Sequence, residues 1–166
     1  MDAVTDRIHK FDSFGEEETG DRIDLPSANI QDFVLAGDSV YVLGHFSNNV
    51  NIRKFSLSGV EDTGARLDLP GSGYDALFIH NNSIYAINDA NHLIRKFSFS
   101  GVEDTSASIQ LPSGINVESM FPYNDHIYTL TNNTTILRKF SLLGKEDDHA
   151  RINLPSAQAW GSIRPD

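Results

Sequence analysis

Four lysines are each followed seven residues later by a glutamate: Lys10/Glu17, Lys54/Glu61, Lys96/Glu103 and Lys139/Glu146. A second acid follows every glutamate, at Glu18, Asp62, Asp104 and Asp147. Two kinds of chemistry suit this grouping. Clustered carboxylates suit a hard cation such as calcium, and an acid facing a lysine at fixed spacing suits an ion pair. The six histidines, His9, His45, His80, His92, His126 and His149, share no close ligand spacing. Neither an HExxH helix nor a GxSxG elbow nor a phosphate loop occurs. With no cysteine, disulfides, thiol catalysis and cysteine–zinc sites are excluded.

The formal net charge of −10 argues against nucleic acid, which needs clustered Lys and Arg to meet phosphates. It argues equally against an anionic membrane surface. No apolar run approaches the roughly 20 residues of a membrane-spanning helix. The start, MDAVTDRIHKF, lacks the basic opening and apolar stretch of a secretion signal.

The Lys–Glu spacing belongs to a longer repeat. KFDSFGEEETGDRIDLP (10–26), KFSLSGVEDTGARLDLP (54–70), KFSFSGVEDTSASIQLP (96–112) and KFSLLGKEDDHARINLP (139–155) align without a gap. The lysines stand 44, 42 and 43 residues apart. Between copies lie runs rich in Ile, Tyr, Phe and Val, separated by short Asn/Gly/Asp turns, which read as strands. In one repeat, strand A is 75–80, B is 83–88, C is 92–99 and D runs from Glu103 to Leu111. Ser100-Gly101 is the C–D turn, matched by Ser58-Gly59, Phe14-Gly15 and Leu143-Gly144. No sustained helical period occurs. Four strands in about 42–44 residues predict an all-β, four-bladed β-propeller of four-stranded antiparallel blades.

The expected blades are 32–70, 75–112, 118–155 and a composite of 160–166 with 2–26, forming one domain over 1–166. The C-terminal strand of the composite blade closes the ring. A ring from a single chain is the expectation; an eight-bladed ring from two chains exchanging strand A is the alternative.

SIYAINDANHLIRKFSFSG (83–101) resembles the NHL and YWTD repeat classes, which run as an aromatic strand, an Asp/Asn turn, an Ile-Arg strand and a Gly turn. SVYVLGHFSNNVNIRKFSLSG (39–59) and HIYTLTNNTTILRKFSLLG (126–144) follow the same order, the latter with Asn for the turn Asp. The resemblance implies a propeller fold. Those families usually have six blades, so it implies no shared function.

The recurring phenylalanines, Phe11, Phe55, Phe97 and Phe140, are expected to pack between blades. The Leu-Pro pairs end strand D, where a missing N–H does no harm. A two-residue turn at Ser58-Gly59 would set Lys54 and Glu61 diagonally on one face as an ion pair. One extra turn residue would move them to opposite faces.

If repeating residues build the fold, binding belongs where the copies differ, on the face shared by the B–C turns and D–A connections. The candidates there are Trp160, Tyr74 and Phe46 with Asn48, Asn49, Asn88, Asp89, Asn91, Asn132 and Asn133. Amides and a carboxylate can hold hydroxyls while a ring covers an apolar sugar face. The reading is a non-enzymatic binding module or scaffold with a lectin-like site for a glycan or other small polar ligand. No cofactor or metal is expected. Two alternatives stand: a protein-interaction scaffold, including a minimal or engineered repeat protein, or a metal-dependent hydrolase or lyase.

Overall fold

The computed structural model describes residues 7–26, 28–46, 49–114, 117–131 and 136–154. The chain forms two compact units, Met1–Ser72 and Gly73–Asp166. The first holds a two-stranded sheet, β1 (Arg7–Ile8) with β2 (Ile23–Asp24), and a four-stranded one. That larger sheet is a meander of β3 (Ala28–Ala36), β4 (Ser39–Phe46), β5 (Asn49–Ser56) and β6 (Glu61–Asp68). The second unit holds two more meanders. One is β7 (Tyr74–His80), β8 (Ser83–Asn88), β9 (Leu93–Ser98) and β10 (Ile109–Gln110). The other is β11 (Val117–Tyr123), β12 (His126–Thr131), β13 (Ile136–Ser141) and β14 (Ile152–Asn153). All pairings are antiparallel.

The expected A–B–C–D order is therefore the observed one, and the fold is all-β and propeller-like. The strands expected to close a ring, within 2–6 and 160–166, lie outside the described residues. Turn chemistry explains the meanders. Asn81-Asn82 and Asn124-Asp125 join strands A and B with φ of 45°, 55°, 46° and 57°, the twin left-handed residues of a tight hairpin turn.

Strand D departs from its expected form. Glu103–Leu111 is not one strand: a bridge pairs Phe97 with Glu103, a 3₁₀ turn covers Thr105–Ala107, and β10 follows. The turns Thr19–Asp21 and Asp148–Ala150 interrupt the first and fourth copies in the same way. Side chains compete with the ladder there. Asp147 accepts a hydrogen bond from the His149 amide, and Asp104 accepts one from the Ser106 hydroxyl. In the second copy β6 stays extended through this stretch.

Period-2 alternation puts Phe78 and Tyr85 on one face of their sheet and Ile127 and Phe140 together on a face of the next. In the second unit these faces form one core, with Ile87, Ile94, Ile109 and Met120. In the first unit Phe55 packs with Ile23, Leu25, Val40 and Val42. Phe55 and Phe140 thus lie between successive sheets, as expected. Burying such a side chain is worth about 1.5–3 kcal/mol. Phe11 does not follow them; it is exposed.

Candidate functional site

The recurring charges are paired, but not in the expected way. The C–D turn has three residues, not two. In the second copy the Gly59 amide donates to the Ser56 carbonyl at 3.0 Å, and the Ser56 amide to the Val60 carbonyl at 2.9 Å. Gly59 sits at φ +83°, as do its three counterparts to within 2°, closing a type I turn with a left-handed fourth residue. The extra residue shifts the register so that Phe55 opposes Glu61 and Lys54 opposes Asp62. Lysine and glutamate then face opposite sides of the sheet.

The lysines take the second acid instead. Lys54 lies 3.4 Å from Asp62, Lys96 3.1 Å from Asp104 and Lys139 3.6 Å from Asp147, and Lys10 pairs with Glu18. Each glutamate meets the residue before the lysine. Arg53, Arg95 and Arg138 reach Glu61, Glu103 and Glu146 at 3.5, 2.8 and 2.9 Å, and His9 reaches Glu17 at 2.6 Å. A further arginine, from strand D, completes three of the four sets: Arg22 on Glu17 at 2.5 Å, beside His9, and Arg66 on Glu61 and Arg151 on Glu146, both at 2.7 Å, beside a first arginine. In the third copy Ser108 holds that position. Hydrogen bonds from Arg22, then His9, pull the Glu17 carboxyl down to a pKa of about 2. Arg151 lowers Glu146 in the same way, against an opposing effect of burial.

These clasps tie strand C to strand D. Among the described residues, no cluster of three or more His, Cys, Asp or Glu is placed to hold a metal ion. Sequence reasoning missed the arginines. Their signal is the column before the lysine (His9, Arg53, Arg95, Arg138) and the column twelve after it (Arg22, Arg66, Ser108, Arg151).

The candidates on the loop face fall into three groups. Trp160, Asn48, Asn132 and Asn133 lie outside the described residues. Phe46, Tyr74 and Asn88 are buried. The Arg53 guanidinium covers the Phe46 ring, 4.0 Å from its centroid. Tyr74 hydrogen-bonds Asn88, and burial raises its phenol pKa. The Asn88 side chain in turn accepts from the Asn91 amide at 3.0 Å, capping the 3₁₀ turn Asp89–Asn91.

Asp89 links two sheets of the second unit by accepting from the Val117 amide at 3.4 Å, and burial raises its pKa. Its own amide donates to the Gly73 carbonyl at 2.9 Å. Asn88, Asp89 and Asn91 thus spend polar groups on holding the B–C turn of this repeat.

The second repeat is arranged differently. Asn49 is exposed, and with His45 it borders an open depression of about 500 Å³. Asp68 at the end of β6 and Gly71 and Ser72 of the D–A connection also line it, together with the buried Val50 and Leu69. The ends of β4, β5 and β6 and the first residues of the D–A connection therefore line one depression. A polar molecule entering would meet an imidazole, an amide, a carboxylate and a hydroxyl.

No protein-family model and no curated protein matches the chain. Solved structures do. Streptogramin B lyase aligns with TM-score 0.64 and 14% identity, over 90% of this chain and 48% of its own. The computationally designed Ika4 protein aligns with TM-score 0.55 and 11% identity, over 75% and 73%. The WD40 domain of Toxoplasma gondii coronin gives TM-score 0.57 and 11% identity, over 80% and 35%. The chain thus spans about half the length of the lyase it matches and a third of coronin's domain. At these identities the likeness shows the fold alone, a propeller-type one.

Proposed function

We propose that this chain is a non-catalytic binding module, with a small polar ligand, a glycan by chemical class, held on the face of its B–C turns and D–A connections. The observation that carries the reading is the depression between His45, Asn49, Asp68 and Ser72. It lies where the repeats differ in sequence, whereas the recurring acids are occupied by arginine and lysine. Its donors and acceptors match vicinal hydroxyls.

The test is a glycan array probed with the full chain, followed by calorimetry on the bound glycans. Asn49→Ala is expected to weaken binding about tenfold, the equivalent of one ligand hydrogen bond, with the melting temperature unchanged because Asn49 is exposed. An empty array, or affinity indifferent to Asn49→Ala and Asp68→Asn together, contradicts the proposal.

The likeness to streptogramin B lyase favours a second reading, an eliminating enzyme with His45 as the proton acceptor. It requires a new chromatographic product when the full chain is incubated with a streptogramin B compound, and loss of that product in His45→Ala.

A further inference from the structure

Four-fold repetition makes each contact between successive sheets a comparison with its counterparts. The recurring phenylalanine is 2% exposed at Phe55, 2% at Phe97 and 1% at Phe140, but 59% at Phe11. Thirteen residues after each lysine stands an aliphatic residue, 3% exposed at Ile23, 2% at Leu67 and 0% at Ile109, but 51% at Ile152. In the first unit Phe55 shares a core with Ile23, and in the second Phe140 shares one with Ile109. Within each unit the phenylalanine of the later repeat is thus covered by the aliphatic residue of the repeat before it. One member of each set remains uncovered, and Phe11 and Ile152 have the chemistry of a matching pair.

Two further observations agree. A Cβ on Gly59 would lie 3.0 Å from the Arg22 carbonyl, and one on Gly144 would lie 3.4 Å from Ile109, whereas one on Gly15 meets nothing within 4 Å. Phe78, Tyr85 and Ile94 are buried on the covered face of their sheet. Their counterparts Phe121, Tyr128 and Leu137, beside Ile152, are only half-buried.

We propose that a second copy of this chain covers these faces. The face of β11–β14 carrying Tyr128 and Ile152 receives the partner copy's Phe11-bearing strands, and its own Phe11 docks on the partner copy's Ile152. The contact repeats the one made by Phe140 and Ile109 within the second unit, so its chemistry is already in the fold. Two-fold symmetry satisfies both faces of both copies at once and closes the assembly.

Light scattering on the full chain should give two chain masses. One chain mass overturns the proposal, as does a ladder growing with concentration, the mark of faces that do not close. Phe11→Asp and Ile152→Asp should each reduce the assembly to one chain with an unchanged circular dichroism spectrum; a folded variant that stays paired also overturns it.

Cross-linking decides the matter should either variant fail to fold. The chain has no cysteine, so a Phe11→Cys chain mixed with an Ile152→Cys chain can be joined by a short bis-maleimide only between copies. Cross-linking of the mixture, and of neither chain alone, is the expected result. No cross-link in the mixture, or an internal one in a diluted chain carrying both cysteines, contradicts it.

Discussion

Glu17 and Glu146 carry the most direct consequence of the clasps. The folded Glu17 carboxyl titrates near 2 against an ordinary 4.5, so the folded state holds the proton more weakly than the unfolded chain does. Its stabilisation is complete above about pH 5 and is lost as the pH falls through 2. Thermal melts taken between pH 5 and pH 2 should show a falling midpoint, with a shallower slope in Glu17→Gln; parallel slopes would contradict the assigned partners. Glu146 is 12% exposed and takes both Arg138 and Arg151. Glu146→Gln should therefore cost about 1–2 kcal/mol in urea unfolding, less than a fully buried charged network because Arg151 is 39% exposed. The Lys–Glu spacing was legible in the sequence, but the partners were not. They depend on whether the C–D turn holds two residues or three, and one residue moves every side chain to the other face.

That turn is where the elements were hardest to read. Strand order followed from the apolar runs and the Asn/Gly/Asp turns, because those residues supply the left-handed backbone a hairpin needs. The breaks in strand D did not follow, since they come from Asp and Ser side chains bonding to neighbouring groups. Nor did the bulges near the start of each described strand A, between Ile30 and Asp32, Tyr74 and Ala76, and Val117 and Ser119.

Gly59 and Gly15 make a matched test at this scale. Both hold φ near +82°, which costs an alanine about 1 kcal/mol. Only Gly59 faces a carbonyl, 3.0 Å from an added Cβ. Gly59→Ala should therefore destabilise the isolated chain more than Gly15→Ala does, by a further kilocalorie or so. Equal losses, measured below any association, would mean that the second C–D turn does not press on the first repeat.

Across the whole molecule, recurring and differing positions divide the work. The recurring acids sit in clasps and ion pairs with Arg and Lys, so the excess of carboxylates behind the net −10 lies elsewhere in the chain. Within each unit a recurring Phe and an Ile of the preceding repeat stack the sheets, Phe55 on Ile23 and Phe140 on Ile109. His45, Asn49 and Ser72, at strand ends and in a connection that differ between repeats, line the depression, whereas Asn88 and Asp89, equally suited by type, hold their own turn. Composition alone could not separate these two groups, because a turn-forming amide and a ligand-binding amide are the same residue. Their separation depends on burial and on which backbone amide each oxygen accepts from.

The measurement that tests this division most directly is an amide chemical-shift titration of the isotope-labelled full chain with methyl α-mannoside and methyl β-galactoside. Shifts confined to His45, Asn49, Val50, Asp68, Gly71 and Ser72 are the expected result. Shifts centred on the Glu61 and Glu146 clasps, or none with either sugar, would contradict it.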